Sequence, residues 1–164
     1  MSNAYFKVPQ PINEPVKSYK PGSPEREELK KKLVELKSKQ IEVPLIIGGE
    51  EVKTGNTEKM VIPHDHSHVL GIYHKAGKKE VDMAVEAALE ARKLWSELPW
   101  EHRASVFLKI ADLLAGPWRS TINAATMLGQ SKTAYQAEID SAAELIDFYR
   151  YNCYFMAQLM QDQP

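Results

Sequence analysis

The chain has 164 residues, 43% hydrophobic and 26% charged, and this length is enough for one domain with a hydrophobic core. Its 21 basic and 22 acidic residues nearly cancel, so net charge does not favour nucleic acid or an anionic membrane as a partner. One cysteine excludes an intrachain disulfide, and no apolar run approaches the roughly 20 residues of a membrane helix. The N-terminus resembles neither a signal peptide nor a transit peptide, so we expect a cytoplasmic protein.

The first part of the chain predicts an extended arm followed by a helix. Residues 1–22 contain four of the ten prolines and no apolar period, which favours an extended arm lying on another surface. The helix is predicted over residues 23–40, because Ser23 is a good N-cap and Pro24 suits the first helical position. Its buried face consists of leucines at helical spacing: Leu29, Leu33 and Leu36.

A small group of antiparallel strands is predicted within residues 44–74. Short β-branched runs at Leu45–Ile47, Met60–Ile62 and Val69–Tyr73 are separated by Gly-Gly, Gly-Asn and a histidine-rich stretch. The histidine-rich stretch therefore falls where a hairpin turn is needed.

Helices are predicted over residues 78–161. The first of them has an apolar face and ends at Pro99, the second ends at Gly116-Pro117 and the third at Gly129. The last is long and apolar on several sides, which predicts that neighbours cover it on more than one face. The apolar face of the first helix consists of Val81, Ala84, Val85, Ala88 and Leu89, broadened by Ala91, Leu94 and Trp95. The positions expected inside in the second helix are Val106, Ile110, Leu113 and Leu114.

The histidine-rich stretch, PHDHSH at residues 63–68, is a candidate metal site. In an extended strand His64, His66 and His68 share one face and could converge on a zinc ion. In a turn they no longer share a face, and solvated turn histidines are the commoner case. We therefore favour the turn.

Two further features of the last helix carry possible chemistry. Asp140, Glu144 and Asp147 form an acidic stripe, which either faces water or meets a cation such as the ammonium of an amino acid. Cys153 is surrounded by aromatic residues, so we expect a packed thiol rather than a nucleophile.

Three stretches carry a resemblance to a known family: NEPVKSYKPGSPEREEL, AVEAALEARKLWSELPWEHRASVFLKIADLLAGPWR and ATMLGQSKTAYQAEIDSAAELIDFYRYN. They closely resemble the N-terminal region of the 1-pyrroline-5-carboxylate dehydrogenase family, within the aldehyde dehydrogenase superfamily. The resemblance implies an α/β, aldehyde dehydrogenase-like fold. This chain would supply its N-terminal part, mostly helical with a small antiparallel strand group. Residues 23–164 would then be the N-terminal part of the NAD-binding domain.

The resemblance also implies a function. Enzymes of this family oxidise L-glutamate γ-semialdehyde, formed from 1-pyrroline-5-carboxylate, to L-glutamate in proline catabolism, with NAD as cofactor. A cysteine thiolate captures the aldehyde, hydride passes to NAD, and a glutamate-activated water releases the acid. The enzymes commonly form homo-oligomers, and a eukaryotic member would be expected in the mitochondrial matrix.

The family's catalytic residues and its cofactor motif match no position of this chain. We therefore expect no catalytic residue and no NAD site here, and a chain that is inactive without the remainder of the enzyme. Glu144, in AAELIDF, matches a helix glutamate that in the family lies by the aldehyde end of the substrate site. The resemblance thus implies a substrate-binding role for Glu144.

Two alternatives to this function remain open. One is a helical interaction module without catalysis, which would bind a partner through the long helix. The other is a small metal-binding protein that uses His64, His66 and His68.

Overall fold

The computed structural model describes residues 6–162, so residues 1–5 of the predicted arm and residues 163–164 lie outside the described part. Five short strands follow the first helix, and helices then occupy the rest of the chain. In chain order the first elements are α1 (Pro24–Ser38), β1 (Ile41–Val43), β2 (Leu45–Ile47), β3 (Glu50–Val52), β4 (Thr57–Ile62) and β5 (Asp65–His74). The helices after them are α2 (Lys78–Glu97), α3 (Trp100–Ala115), α4 (Arg119–Gln130), α5 (Ala134–Ala137), a π-helical segment (Glu138–Ala143) and α6 (Glu144–Asp162). The mostly helical chain with small strand groups agrees with the predicted fold class.

Helix α1 begins as the sequence predicts. The Ser23 side chain accepts a hydrogen bond from the Arg26 N–H, and Pro24 follows it at the first helical position. Leu29 is buried in a cluster with Tyr19 and Ala124, so α1 packs on α4.

The strands form two small sheets, and one pairing differs from the antiparallel prediction. Strands β2 and β3 make an antiparallel hairpin whose turn is Gly48-Gly49, both with positive φ. Strand β5 is central in the other sheet: it pairs antiparallel with β4 and parallel with β1. Strand β1 lies before residues 44–74, where the strands were predicted. Its partner β5 is about 30 positions further along the chain, and periodicity within a segment does not report such a pairing.

The apolar face predicted for α2 is present but uncovered, and two of the four positions expected inside in α3 are wrong. Helix α2 has no buried residue, and its apolar face is open, with Val85 53% and Leu89 57% exposed. In α3 the buried residues are Ala104 and Ala111, whereas Val106 and Leu113 are exposed. Periodicity identified the apolar faces correctly, but within the described part of the chain little packs against them.

The long predicted helix is continuous but contains a π-helical segment. The Glu144 N–H donates to the Ile139 carbonyl, a bond from i+5 to i that encloses one more residue than an α-helical turn. The second hydrophobic cluster lies along this helix and consists of Ala111, Ala142 and Ile146. No helix of the described residues is long and apolar enough to span a membrane.

Residues 6–22 contain no helix or strand and lie in part on the chain's own helices. Side chains of the arm hydrogen-bond to the π-helical segment and α6, through Glu138 and Asp147. The surface under this part of the arm is therefore formed by helices more than a hundred residues away in sequence.

Candidate functional site

An open cleft of about 470 Å³ lies along the first turns of α6. One wall is a row of α6 side chains, and the other contains Asn13 of the arm. The residues that line the cleft are Asn13, Glu144, Asp147, Phe148, Tyr151, Asn152 and Phe155. The cleft thus combines two carboxylates with three aromatic rings.

The three carboxylates of the predicted acidic stripe have different surroundings. Asp140 pairs with Lys132 at 2.7 Å and does not line the cleft. Asp147 accepts hydrogen bonds from Asn13 Nδ2 at 2.8 Å and from the Glu14 N–H at 2.7 Å. Glu144 is exposed and has no hydrogen bond or ion pair with another side chain of residues 6–162. Glu144 is therefore the carboxylate of this stripe that is free to meet a ligand.

The aromatic side chains give the cleft its apolar surface. Phe148 is 61% exposed and Phe155 is 50% exposed, and the ring of Tyr151 lies 6.1 Å from that of Phe155. A free carboxylate beside exposed aromatic faces attracts a cation, because both the negative charge and the ring quadrupoles favour it. The cleft is suited to a small molecule with an ammonium group and an aliphatic body.

A buried ionic network is centred on Glu138 of the π-helical segment. Glu138 is completely buried and forms an ion pair with buried Arg119. Its carboxylate also accepts hydrogen bonds from the Lys17 N–H at 2.7 Å, from Tyr19 Oη at 2.8 Å and from Asn123 Nδ2 at 2.8 Å. The oxygens of Glu138 are thus satisfied by donors from the arm and α4.

The arm extends this network through Glu14. Glu14 pairs with Arg119 and with Arg150, and Arg119 also donates to the Pro15 carbonyl at 2.8 Å. Two consecutive arm residues, Asn13 and Glu14, are therefore held by side chains of α4 and α6.

The network sets the protonation states of its members. Burial by itself would raise the pKa of the Glu138 carboxyl, but hydrogen bonds from Arg119, Lys17, Tyr19 and Asn123 outweigh it and lower that pKa below its ordinary value. Burial and the neighbouring Glu138 carboxylate raise the pKa of Tyr19 far above its ordinary value. Glu138 is therefore ionised and Tyr19 is neutral at neutral pH.

The structure does not bring the three candidate metal ligands together. His64 lies in the turn between β4 and β5 with Nδ1 2.6 Å from Ser131 Oγ, and His68 Nε2 lies 3.0 Å from the Lys37 carbonyl. The predicted turn is confined to Pro63 and His64: His66 and His68 lie on β5, where His66 is exposed, so the prediction of a turn is wrong for these two. Among residues 6–162 no three His, Cys, Asp or Glu side chains cluster as metal ligands, and the metal-site alternative gains no support.

Cys153 is buried in α6, where Sγ lies 3.6 Å from the Ala104 carbonyl. Burial raises the pKa of its thiol, so the thiolate is disfavoured. Cys153 is a packed thiol, as the sequence predicts.

The described residues do not form a dinucleotide cradle. A nucleotide loop needs several glycines between a strand and a helix N-terminus, so that the backbone can approach the phosphates. The single strand-to-helix junction with a glycine here is β5 to α2, and Gly77 stands alone in it, with its N–H bonded to Glu80 at 2.8 Å. These residues do not fit NAD.

Three residues of this region were not predicted from the sequence: Asn13, Arg119 and Glu138. Each contributes through contacts with residues far away in sequence, which periodicity and local motifs do not report. One signal was available: the resemblance begins at Asn13, and this start indicated that the arm is part of the enzyme fold.

The comparisons with known proteins agree with this structure. The model of the Aldehyde dehydrogenase family matches residues 51–163. A delta-1-pyrroline-5-carboxylate dehydrogenase of Agaricus bisporus is 48% identical over 98% of this chain and 30% of its own length. The mitochondrial human enzyme of that name is 47% identical over 93% of this chain and 27% of its own. The chain thus spans about 30% of the length of the curated relatives it matches.

A solved structure extends the similarity to three dimensions. The crystal structure of the Mycobacterium tuberculosis delta-pyrroline-5-carboxylate dehydrogenase with bound NAD has a TM-score of 0.96 and 49% identity. It covers 99% of this chain, which matches 31% of that protein.

Proposed function

The chain belongs to the aldehyde dehydrogenase family, and from this membership we propose that it is the N-terminal segment of an NAD-dependent dehydrogenase. The enzyme oxidises L-glutamate γ-semialdehyde, formed from 1-pyrroline-5-carboxylate, to L-glutamate in proline catabolism. The activity belongs to the longer enzyme, because neither the nucleophilic cysteine nor the NAD site is among the residues of this segment.

The observation that carries the substrate assignment is the free carboxylate of Glu144 among exposed aromatic rings. Glutamate semialdehyde has an α-ammonium group and a short aliphatic body, and the cleft offers a partner for each. We assign to Glu144 the role of attracting this cation, or of gating the aldehyde end of the substrate site.

Within the longer enzyme, residues 23–164 form the N-terminal part of the NAD-binding domain, and residues 1–22 form the arm. The remainder of the enzyme is the partner of the exposed faces of α2 and α6, and the complete protein is a homo-oligomer without a nucleic-acid or membrane partner. It resides in the cytoplasm, or in the mitochondrial matrix if its source is a eukaryote. Relatives named as mitochondrial support the second case.

The test uses the longer enzyme and Glu144→Gln, a change that removes the charge and keeps the size. NADH formation from glutamate semialdehyde is measured for the wild type and the variant. We expect the wild type to turn over and kcat/KM for the semialdehyde to fall about 10- to 100-fold in Glu144→Gln, as for a lost hydrogen bond to a charged group. The KM for NAD stays unchanged.

Asp140→Asn is the matched control, because Asp140 is a carboxylate of the same long helix that pairs with Lys132 outside the cleft. Its kinetics should equal those of the wild type. A wild-type enzyme without turnover contradicts the proposed activity. Unchanged kinetics in Glu144→Gln contradict the role of Glu144 alone.

The helical interaction module is the second candidate, and the exposed Phe148 and Phe155 of the long helix favour it. The two candidates differ in one measurement. An interaction module remains a chain of 18.6 kDa in its source and forms no NADH, whereas the enzyme carries this segment within a larger, active chain.

A further inference from the structure

Two hydrogen bonds of Asn13, one with Asp147 and one with Tyr151, fasten the arm to α6; we call these three residues the clasp. Asn13 Nδ2 donates to Asp147 Oδ2 at 2.8 Å, and Tyr151 Oη donates to Asn13 Oδ1 at 3.1 Å. The other oxygen of Asp147 accepts the Glu14 N–H at 2.7 Å. Both carboxylate oxygens of Asp147 and both polar atoms of Asn13 are therefore engaged.

The clasp forms part of the wall of the same cleft that Glu144 lines. Asn13, Asp147 and Tyr151 all line the cleft, and Asn13 is the lining residue that comes from the arm. Because the clasp occupies Asp147, it leaves the free carboxylate of Glu144 to a cationic ligand. The position of Asn13 therefore determines the shape of the cleft and which carboxylate a ligand meets.

The segment after the clasp is held independently. Glu14 pairs with Arg119 and Arg150, and the Lys17 N–H donates to Glu138. Loss of the clasp should consequently free Asn13 while the rest of the arm stays in place, so the effect would be confined to the cleft.

We propose that Asn13 is a residue of the substrate cleft that determines the affinity for the substrate, and that Asp147 is a positioning residue that acts through it. This inference rests on the proposed function, because the ligand is glutamate semialdehyde bound at Glu144. The clasp sets the affinity for the semialdehyde and leaves the chemical step and NAD binding unaffected.

The test is a double-mutant cycle in the longer enzyme, with Asn13→Asp, Asp147→Asn and the double variant. Asn13→Asp sets two carboxylates against each other and opens the clasp. In the double variant the new amide at position 147 donates to the new carboxylate at position 13 and still accepts from the Glu14 N–H. The Tyr151 hydroxyl still donates to position 13. Every bond of the clasp is thus restored, and only the bond between positions 13 and 147 exchanges its donor and acceptor.

We expect the KM for glutamate semialdehyde to rise about fivefold or more in Asn13→Asp, as for one lost hydrogen bond, with kcat and the KM for NAD unchanged. The double variant should return this KM to within about twofold of the wild type. Hydrogen exchange at the Glu14 amide provides a readout apart from activity: it should be fast in Asp147→Ala and slow in the double variant. If Asn13→Asp does not fold, Asn13→Ala replaces it, because alanine removes the hydrogen bonds without adding repulsion. Asp140→Asn is the control and should leave the kinetic constants unchanged.

An unchanged KM for the semialdehyde in both Asn13→Asp and Asn13→Ala would overturn the inference. A double variant whose KM is as high as that of Asn13→Asp would overturn it too. The failure of the proposed function is a separate outcome. Suppose that Glu144→Gln keeps full turnover, while Asn13→Asp raises the KM and the double variant restores it. Glu144 would then no longer be assigned to the substrate site, and the clasp would still be assigned to it.

Discussion

Tyr19 adopts a left-handed backbone conformation, with φ of 52°, that bulky residues rarely take. Its side chain compensates for this strain, because the hydroxyl donates to Glu138 and accepts from Asn123. Its carbonyl accepts a hydrogen bond from Arg26 in the first turn of α1. One strained residue thus joins the arm, α1 and the buried ionic network, and the stability of this region should depend on that network.

Glu138→Gln tests the network at the scale of a residue. The variant leaves buried Arg119 with less compensation, so we expect the free energy of unfolding at pH 7 to fall by about 3 kcal/mol. Glu27→Gln is the matched control: it breaks an exposed pair with Lys30 and should cost less than about 0.5 kcal/mol. Urea unfolding of both variants measures the difference, and equal costs would contradict a stabilising role of the network.

The effect of Glu138→Gln should depend on pH with a defined sign. The pKa of Glu138 is lower in the folded protein than in the unfolded chain, where it is about 4.3. The stabilisation is therefore complete above about pH 4.3 and is lost as the pH falls through the lower folded value. Urea unfolding between pH 7 and pH 3 should show the wild type approaching the variant at the acidic end, and a constant difference would exclude this linkage.

At the scale of elements, strand β5 organises the small sheet, and Gly71 permits its parallel pairing with β1. Gly71 lies opposite Ile41, and a Cβ at this position would stand 2.0 Å from the Ile41 carbonyl oxygen. Strand β1 can approach β5 because residue 71 has no side chain.

Gly71→Ala should separate β1 from β5 and lower the free energy of unfolding by about 1–3 kcal/mol, the usual cost of overpacking. Gly129→Ala is the matched control, since a Cβ at Gly129 meets no atom within 4 Å and alanine is the better helix former. It should be neutral or slightly stabilising. Thermal unfolding of the two variants measures the effect, and similar melting temperatures would show that the β1–β5 approach is not constrained at Gly71.

The elements were predicted far better than their packing. Ser23 with Pro24 located the start of α1, and the turn residues located the hairpin, because these signals are local in sequence. The parallel pairing of β1 and the contacts of Glu138 join residues 15 to 121 positions apart. The same applies to the cleft: Glu144 was identified from its motif, whereas Asn13 could be assigned to the cleft only once the fold joined it to α6.

At the scale of the whole molecule, two helices present apolar side chains without cover from the described residues. The α2 face forms an open groove that includes Leu89, Leu94 and Trp95, and α6 exposes Phe148 and Phe155. Patches of this kind on a chain that spans about 30% of its relatives' length fit surfaces that the longer enzyme covers.

The 164-residue chain by itself should therefore self-associate as its concentration rises. Leu89→Lys together with Leu94→Lys should shift it toward monomer, because charges within the α2 groove oppose apolar contact. Val34→Lys is the control, since Val34 is a singly exposed apolar residue of α1, 69% exposed, outside both faces. Sedimentation velocity measures the proportions of monomer and oligomers. A chain that stays monomeric at all concentrations would show that these faces do not associate with each other.

The π-helical segment is the point of this helix at which a change of chain length can be absorbed. A π-helical turn is equivalent to an α-helix with one residue inserted, and it lies between Glu138, which faces the buried network, and Glu144, which faces the cleft. Deletion of one residue between these two should therefore let the helix revert to α geometry while Glu138 stays at the network and Glu144 at the cleft. Deletion of one residue within the regular α-helix after Glu144 would instead rotate everything after it by about 100°, the angle per residue of an α-helix. This helix should consequently tolerate the loss of one residue in the π-helical segment and hardly any other change of length.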